Sequence, residues 1–437
     1  MDTVCVVGLW HLGIVNAVGF CERGYRVIGL EFDRKRLRKL QRGIPPLFEP
    51  GLRELLARHR RSKRLKFSAA PADVRQATYV VIAYDSPVNE RDAVDVTPVV
   101  HAVQSLAPFL RPETLVVITS QVPLGTSERL EAAIAKRNRR WRMGVVYTPE
   151  NLKLGGAIAR FLKPDMLVLG ANRPEAARAA RVLYRPFHTK KLSMDLRSAE
   201  MVKHALNAFL ATSISFSNEI AQLADRLGAD AVRVGEALRL DTRIGRRALL
   251  TPGLGFSGGT LARDVAQLQK FAREHRYRAP LLEGVRVVND ETFRHVVSVV
   301  RHALRRLPGK NIGILGLTYK PGTSTLRRSP AIALMKKLTA AGARLRGYDP
   351  MADHSEVHAY RRLFRRVASV AALARGADAL VLVTEWPEFR RLPYAVLGRS
   401  MRQPIMVDTK NFLDPEILTA AGFRYIGFGR QQGVAPT

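Results

Sequence analysis

The stretch Thr3-Val4-Cys5-Val6-Val7-Gly8-Leu9-Trp10-His11-Leu12-Gly13 sets the architecture of the N-terminal part of this 437-residue chain. Its apolar run predicts a β-strand that breaks at a glycine, and a helical pattern follows as far as Gly24. A second strand is predicted from Arg26 to Glu31. Strand, helix and strand in this order predict a βαβ unit of a parallel sheet.

Three residues of this unit match the pattern of a dinucleotide-binding turn. Glycines there allow a tight turn and a close approach of the pyrophosphate to the helix N-terminus, and an acidic residue after the second strand binds the ribose hydroxyls. Gly8, Gly13 and Glu31 fit, whereas Trp10 replaces the middle glycine and would clash with a pyrophosphate unless its side chain points away. Glu31 favours NAD over NADP, and the basic residues around Arg36 weaken that preference.

Strands and helices alternate through most of the remaining chain. We predict strands at residues 79–83, 115–119, 145–147 and 166–170, and, after a boundary at Pro308-Gly309-Lys310, a second series at residues 311–315, 344–348, 379–384 and 405–407. This pattern predicts an α/β fold with two Rossmann-like, doubly wound parallel-sheet domains. Ligands of such sheets bind at the C-terminal ends of the strands.

A helical pattern without proline runs from Leu196 to Leu227 and is long enough to connect two domains. Glu200, Lys203 and Asn207 recur at three- and four-residue steps, so they share one face of this helix. Two interpretations remain open from the residues alone. The face is either a solvated stripe or a buried polar line whose members need partners.

The loop Gly253-Leu254-Gly255-Phe256-Ser257-Gly258-Gly259-Thr260-Leu261-Ala262-Arg263-Asp264 has four glycines in its first seven residues and leads into another helical pattern. Glycines let a backbone approach a ligand closely. A flexible linker is the alternative, but linkers lack an aromatic such as Phe256 and do not lead directly into a charged helix start. We therefore interpret the loop as a binding loop.

The composition is that of a globular protein with a large positive charge. Lysine and arginine total 71 against 38 acidic residues, which gives a net charge of +33 and a pI near 11.0. The basic clusters lack the interleaved aromatics of a base-stacking platform, so we interpret them as solvated surface rather than a dedicated nucleic-acid site. A positive field would also attract a phosphorylated substrate.

The cysteine content and the lengths of the apolar runs argue against a disulfide-rich protein, a cysteine metal site and a membrane-spanning protein. Cys5 and Cys21 lie in the first strand and the following helix, where we expect them to be buried; no metal-ligand spacing and no disulfide framework is present. No apolar run reaches the roughly 20 residues of a membrane span, and the N-terminus has no signal-peptide pattern. We therefore expect a cytoplasmic location and no membrane span.

Many further motifs, in a fixed order, make the whole chain resemble the UDP-glucose/GDP-mannose dehydrogenase family. The matching stretches are Phe48-Glu49-Pro50-Gly51-Leu52, Val122-Pro123-Leu124-Gly125-Thr126, Pro149-Glu150, Glu200 with Lys203 and Asn207, Asn218-Glu219, Asp241-Thr242-Arg243-Ile244-Gly245, the 253–264 loop, Leu315-Gly316-Leu317-Thr318-Tyr319-Lys320, Arg327-Arg328-Ser329-Pro330 and Thr384-Glu385-Trp386.

The resemblance implies an NAD-dependent nucleotide-sugar oxidoreductase in polysaccharide or glycoconjugate precursor synthesis. It implies an NAD-binding domain (1–195), a central helical dimerisation domain (196–305), a C-terminal UDP- or GDP-sugar-binding domain (306–430) and a loose tail (431–437). A homodimer is expected, with Arg243 reaching the partner's substrate.

By the same resemblance, Lys203 and Asn207 act on the substrate hydroxyl and the developing oxyanion, Asp264 organises a water or base, Lys320 contacts substrate and Arg327 approaches the NAD pyrophosphate. The implied catalytic positions are Glu150, Lys203, Asn207, Thr260 and Asp264. The implied NAD-binding positions are Gly8, Leu12, Gly13, Glu31, Arg36, Ser86, Ser120 and Arg327. The implied substrate-binding positions are Glu150, Lys153, Lys203, Asn207, Arg243, Gly255, Phe256, Gly258, Lys320 and Lys410.

One departure bears directly on the chemistry. Family members that make uronic acids form a thiohemiacetal and a thioester on a cysteine, and that position is Thr260 here. A thiol ionises near pH 8.5, whereas an unassisted threonine hydroxyl is not ionised at neutral pH. Further departures are Gln121, Leu154, Arg263 and Lys410.

These departures suggest a dehydrogenase limited to one two-electron oxidation, which gives an aldehyde or a ketone. The alternative is a non-catalytic relative that binds NAD or a nucleotide sugar as a sensor or partner subunit.

Overall fold

The computed structural model describes residues 2–85, 94–149, 152, 155–257 and 260–430. The chain forms two compact units, Met1–Leu206 and Asn207–Thr437. Each contains one sheet, and the fold class predicted from the sequence is confirmed. Among the described residues, no helix is both long and apolar enough to cross a membrane.

The first unit is an eight-stranded sheet covered by helices. Its strands are β1 (Thr3–Val7), β2 (Arg26–Leu30), β3 (Leu65–Ser68), β4 (Tyr79–Ile82), β5 (Leu115–Ile118), β6 (Val145–Tyr147), β7 (Leu167–Gly170) and β8 (Lys191–Met194). Its helices are α1 (His11–Glu22), α2 (Arg34–Gln41), α3 (Leu52–Arg61), α4 (Thr97–Leu106), α5 (Thr126–Arg137), α6 (Ala157–Leu162), α7 (Pro174–Leu183) and the start of α8 (Leu196–Leu227).

The strand order of this sheet is β3-β2-β1-β4-β5-β6-β7-β8. The first six strands are parallel in the order of a dinucleotide-binding fold, with the switch point between β1 and β4. One feature differs from the predicted parallel sheet: β7 pairs antiparallel with β6, and β8 pairs parallel with β7. The last two strands therefore run opposite to the first six.

Side chains from β1 show why this sheet is buried on both faces. Val4 and Val6 belong to one apolar cluster, and Cys5 and Val7 belong to the cluster on the other face. Such two-sided burial produces the continuous apolar strands seen in the sequence. Burial also raises the pKa of the Cys21 thiol to about 12 and raises that of Cys5, so both cysteines are inert core residues, as predicted.

The second unit combines a helical part with a six-stranded parallel sheet. Helical elements are the rest of α8, then α9 (Ala231–Leu240), α10 (Leu261–Glu274) and α11 (Pro280–Leu304). The strands are β9 (Asn311–Leu315), β10 (Arg344–Tyr348), β11 (Arg365–Arg366), β12 (Ala379–Leu382), β13 (Ile405–Asp408) and β14 (Arg424–Gly427). The covering helices are α12 (Pro330–Ala340), α13 (His354–Ala359), α14 (Val370–Ala374), α15 (Tyr394–Ser400) and α16 (Pro415–Ala420).

The order β11-β10-β9-β12-β13-β14 repeats the doubly wound arrangement of the first six strands of the other sheet. Ile312 and Ile314 pack in one cluster of this unit, whereas Leu315 packs in another. The long helix predicted from Leu196 to Leu227 is confirmed with the same bounds as α8.

Candidate active site

The turn between β1 and α1 has the backbone of a dinucleotide-binding turn. Gly8 has φ +85°, and a Cβ at Gly13 would lie 1.7 Å from the Gly8 carbonyl oxygen, so neither position has room for an ordinary side chain. The first turn of α1 follows directly, with Trp10 at its N-cap and 37% exposed. Its backbone N–H groups are the donors that such folds offer to a pyrophosphate.

Glu31 stands at the end of β2, where the sequence places the ribose-binding carboxylate, and it is buried. Its Oε2 accepts hydrogen bonds from the Leu9 N–H at 2.8 Å and from Arg36 Nη1 at 2.9 Å. Its Oε1 accepts from the Asp33 N–H at 2.9 Å. The turn, the helix start and this carboxylate fit a dinucleotide, and a bound NAD would supply the hydride acceptor.

The segment after β4 lies on this turn. Ring atoms of Tyr84 lie 2.9 Å from the place where a Cβ on Gly8 would stand. The Asp85 carboxylate accepts a hydrogen bond from the Leu12 N–H at 3.2 Å. Leu12 was predicted to bind the cofactor, and in this structure its N–H already has a protein acceptor. Nothing in the spacing of the sequence revealed that contact, because it joins residues 73 positions apart.

Two buried side chains of the first unit, Ser120 and Glu49, accept hydrogen bonds from backbone N–H groups of nearby loops. Ser120 is fully buried, and its hydroxyl accepts from the Tyr84 N–H at 2.8 Å, so it positions the segment after β4. Glu49 pairs with His11 at 3.0 Å and accepts from the N–H groups of Gly155 and Ala157 at 3.0 and 2.7 Å. The Phe48–Leu52 motif thus anchors the loop before α6 to the first turn of α1.

The polar face of α8 is buried. Glu200 is fully buried and accepts from the N–H groups of Gly125 and Ser127 at 2.5 and 2.8 Å, so it caps the N-terminus of α5. Burial raises the pKa of Glu200, while these hydrogen bonds lower it. Lys203 and Asn207, one helical turn apart, are 8% and 4% exposed. The interpretation of this face as a buried polar line is therefore confirmed, and the solvated stripe is wrong.

Asn207 and Asp264 meet inside the second unit. The Asn207 amide donates to Asp264 Oδ2, and Arg263 Nε lies 3.9 Å from Asp264 Oδ1. All three side chains are buried, and Asp264 has no exposed surface. Two elements, α8 and the first turn of α10, thus bring together two residues that were predicted to act on one reacting centre.

Thr260 stands at the N-cap of α10, half-buried, and its side chain makes no capping hydrogen bond. Backbone N–H groups at a helix start stabilise a nearby negative charge, which is why thiols in such places ionise readily. A threonine hydroxyl in the same place stays neutral. The position keeps the electrostatics suited to an anionic nucleophile but lacks a group that ionises at neutral pH.

Two asparagines hold the binding loop, and the motifs in the sequence revealed only one of them. Asn218 on α8 accepts from the Gly253 N–H at 2.9 Å. Asn289 on α11 accepts from the Phe256 N–H at 2.8 Å and donates to the Phe256 carbonyl at 3.0 Å. Gly255 has φ +88°, and a Cβ there would lie 2.7 Å from Asn289 Oδ1. The Phe256 side chain packs in an apolar cluster, so only its backbone is available to a ligand.

The loop also packs against the end of β13. A Cβ on Gly253 would lie 3.0 Å from the Thr409 carbonyl oxygen and 3.8 Å from Lys410 Cδ. Lys410 Nζ lies 3.8 Å from the Glu385 carboxylate, and Lys320 is half-buried in the loop after β9. Lys410 therefore lies beside the binding loop, at the C-terminal edge of the second sheet, and its role in substrate binding stays a prediction.

Two further predicted site residues are exposed arginines of the second unit. Arg327 is exposed in the second unit, where its N–H donates to Thr325 Oγ1 and Glu356 Oε2, both at 3.1 Å. Arg243 is exposed at the end of α9 and pairs with Asp241 at 2.7 Å. Ser86, Glu150, Lys153 and Gly258 lie outside the described residues. Within the described part of the chain, no cluster of His, Cys, Asp and Glu could hold a metal ion.

Comparisons with known proteins agree with this arrangement. The UDP-glucose/GDP-mannose dehydrogenase family matches through its NAD-binding domain at residues 2–188, its central domain at 197–291 and its UDP-binding domain at 313–415. The UDP-glucose 6-dehydrogenase of Pseudomonas aeruginosa is 37% identical over 442 residues, which cover 98% of this chain and 97% of that protein.

Solved structures are similar over the same length. A UDP-glucose dehydrogenase from Pyrobaculum islandicum has a TM-score of 0.90 at 33% identity and covers 98% of both chains. A UDP-D-ManNAc dehydrogenase from Pyrococcus horikoshii has a TM-score of 0.87 at 25% identity, covering 99% of this chain and all of that one. This chain belongs to the UDP-glucose/GDP-mannose dehydrogenase family of NAD-dependent nucleotide-sugar dehydrogenases.

Proposed function

We propose that this protein uses NAD to oxidise a nucleotide sugar by a single two-electron step and releases an aldehyde or ketone. The observation that carries the proposal is the first turn of α10, where Thr260 replaces the thiol while Asp264 keeps its contact with Asn207. A CH–OH group loses a hydride to NAD and a proton to a base, which gives a carbonyl group and NADH. That step needs no covalent adduct.

The residues that serve this first step are the buried ones. Lys203 is a cation that can stabilise an alkoxide as the hydroxyl proton leaves, and the Asn207 amide can donate to the same oxygen. Asp264 holds the Asn207 amide by accepting its N–H, which fixes the orientation of that amide. A carboxylate and an arginine in one buried cluster also keep the local charge balanced.

A second oxidation would need an adduct of the aldehyde that can lose another hydride. A thiolate provides this as a thiohemiacetal, and the resulting thioester is then hydrolysed. Thr260 could offer only a neutral hydroxyl, and neither cysteine can replace the thiol because Cys5 and Cys21 are buried in the first unit. We therefore propose that the reaction stops at the aldehyde or ketone, which is released as the product.

The direct test is to incubate the purified protein with NAD and a panel of UDP- and GDP-sugars, and to measure NADH per sugar and the product mass. We expect one NADH and a product two mass units lighter than the substrate. Thr260→Cys restores the thiol at the α10 N-cap and is expected to yield some uronate with a second NADH. Thr260→Ser is the matched control, because it keeps a hydroxyl. Uronate from the wild-type chain would overturn the proposal.

A second candidate is a non-catalytic NAD- or nucleotide-sugar-binding relative that acts as a sensor or partner subunit. It is favoured by Trp10 in the phosphate turn and by the contacts of Tyr84 and Asp85 with that turn. No turnover across the sugar panel, with retained binding of a nucleotide sugar, would favour this candidate over an oxidoreductase.

The assembly and the domain bounds remain part of the proposal. We propose a homodimer built on α8, because Phe209, Phe216, Leu223 and Leu227 are exposed along it at 69%, 46%, 48% and 79%. Arg243 would reach the partner's substrate. Light scattering of the wild type and of Phe216→Asp tests this, and a wild-type monomer would exclude it. The domains proposed are 1–195, 196–305 and 306–430, followed by the tail 431–437. The expected role in polysaccharide or glycoconjugate precursor synthesis in the cytoplasm stays a prediction.

A further inference from the structure

At the N-terminus of α1, one backbone N–H donates to a carboxylate from another part of the same unit. Helix α1 has no acidic residue in its first turn, and its N-cap Trp10 makes no side-chain capping bond. The Leu12 N–H donates instead to the Asp85 carboxylate, from the segment after β4, at 3.2 Å. The neighbouring Tyr84 ring lies against Gly8 in the same turn.

This donor is one of those that a dinucleotide-binding fold directs at the pyrophosphate. A carboxylate and a pyrophosphate are both anions and both gain from the helix N-terminus, so they compete for the same N–H groups. If both remain charged at the end of α1, they also repel each other. The negative charge of Asp85 would therefore repel the pyrophosphate of a cofactor bound at this turn.

The basic side chains around Asp85 do not neutralise its negative charge. Two basic side chains face it, His11 from α1 and Arg36 from α2, and each lowers the pKa of its carboxyl. Each already has an acidic partner, since His11 pairs with Glu49 at 3.0 Å and Arg36 with Glu31 at 2.9 Å. Burial is the largest influence on Asp85, and it raises the pKa. The acid thus takes up a proton more readily than an exposed aspartate.

We propose that Asp85 sets the affinity for NAD by occupying the Leu12 donor, and that NAD binds when this carboxylate leaves the helix end or becomes protonated. The proposal rests on the use of NAD and is independent of the number of oxidations. It assigns to Asp85 a role in cofactor affinity rather than in the reaction itself.

The linkage has a definite sign. A pyrophosphate nearby raises the pKa of Asp85 above its value in the free protein, so binding takes up a proton. NAD affinity is then highest below the pKa of the free protein, falls as the pH rises towards the pKa of the complex, and is constant above it. His11 also faces Asp85, so the test must separate the contributions of these two groups.

The experiment is calorimetric titration of the full chain with NAD, between about pH 5.5 and 8.5 and in two buffers of different ionisation enthalpy. Asp85→Asn removes the charge but keeps an acceptor for Leu12, and Asp85→Gly removes both. At the upper end of the range we expect both variants to bind NAD about tenfold more tightly, the scale of a carboxylate at a helix N-terminus. Proton uptake on binding should disappear in both.

A matched control is Asp195→Asn, which removes the same charge from an exposed position in the first unit that accepts from Ser198. It should leave NAD affinity and proton uptake unchanged. Circular dichroism shows whether each variant is folded. If Asp85→Asn does not fold, Asp85→Gly alone is used for the comparison.

Three outcomes would overturn the proposal. The first is that NAD binds both Asp85 variants no more tightly than the wild type. The second is that proton uptake persists in them, which would assign it to His11, and the third is that neither the wild type nor the variants bind NAD. The third outcome also removes NAD from the proposed function, whereas the first two leave that function intact. A two-NADH stoichiometry would contradict the proposed function and leave this inference standing.

Discussion

The two sheets of this protein begin with the same glycine turn and use it differently. In the first unit Gly8 has φ +85°, its N–H donates to Leu30 at 2.9 Å, and the next N–H donates to Glu31. In the second unit Gly316 has φ +86°, its N–H donates to Tyr348 at 2.8 Å, and the next N–H donates to Asp349. Each carboxylate directly follows the second strand of its sheet.

The two turns lead into different structures. Helix α1 begins at His11, directly after the first turn, whereas α12 begins only at Pro330 and leaves a loop after Gly316. Asp349 also accepts from the N–H and hydroxyl of Thr318 and from the Trp386 indole at 3.0 Å. Because these donors come from the protein itself, the second carboxylate is a structural residue that closes its turn.

The first carboxylate is held more loosely. Apart from backbone N–H groups, Glu31 is paired with Arg36, whose side chain is 30% exposed and can move. A helix N-terminus lies beside it. We therefore expect a dinucleotide to bind at the first turn, where a helix start and a carboxylate that can accept further hydrogen bonds accompany the glycine.

The largest effect that separates the two turns is expected from Asp349→Ala. It leaves the buried Leu317 and Thr318 N–H groups and the Trp386 indole without an acceptor, which should lower the free energy of unfolding by about 4 kcal/mol. Urea unfolding measures this, and Asp353→Asn, an exposed cap, is the control. NAD affinity should not change in the folded variant. A large loss of NAD binding would refute the structural role given to the second turn.

A smaller effect is expected from Glu31→Gln in the first turn. The amide keeps the shape but loses the charge that orients Arg36 and would receive the ribose hydroxyls, so the Kd for NAD should rise about tenfold and the preference over NADP should fall. Quenching of Trp10 fluorescence offers a measurement at the turn itself. Glu54→Gln, on the exposed face of α3, is the matched control. Unchanged NAD affinity would show that Glu31 has only a structural role, like Asp349.

The smallest effect is expected from Trp386→Phe. The aromatic ring remains but the indole N–H to Asp349 is lost, which should cost about 1 kcal/mol in urea unfolding. Because the carboxylate keeps its three donors from Leu317 and Thr318, the turn should persist. A cost as large as that of Asp349→Ala would mean that the indole, rather than the whole set of donors, closes the turn.

The sheets also show which parts of the fold were predictable from the sequence. The sequence patterns predicted every interior strand of both sheets, including β10, which carries two arginines. The four edge strands β3, β8, β11 and β14 were missed, because each is only partly buried and none contains a continuous apolar run. Edge strands need no two-sided apolar pattern and carry charges that discourage aggregation.

Some residues of the candidate site could also be found from the sequence, and others only from the structure. Motifs located Glu31, Asn207 and Asp264, whose residue types match the chemistry proposed for them. They did not reveal Asp85 or Asn289, since these act through contacts with Leu12 and Phe256 that depend on the folded chain. The reversed direction of β7 was equally invisible to a pattern of strands and helices.

We propose that this protein keeps the buried groups for one oxidation and lacks the thiol for a second. The measurement that tests it most directly is the number of NADH molecules formed per nucleotide sugar consumed, with the product identified by mass. One NADH and an aldehyde or ketone would agree with Thr260 at the start of α10. Two NADH and a uronate from the wild-type chain would contradict it.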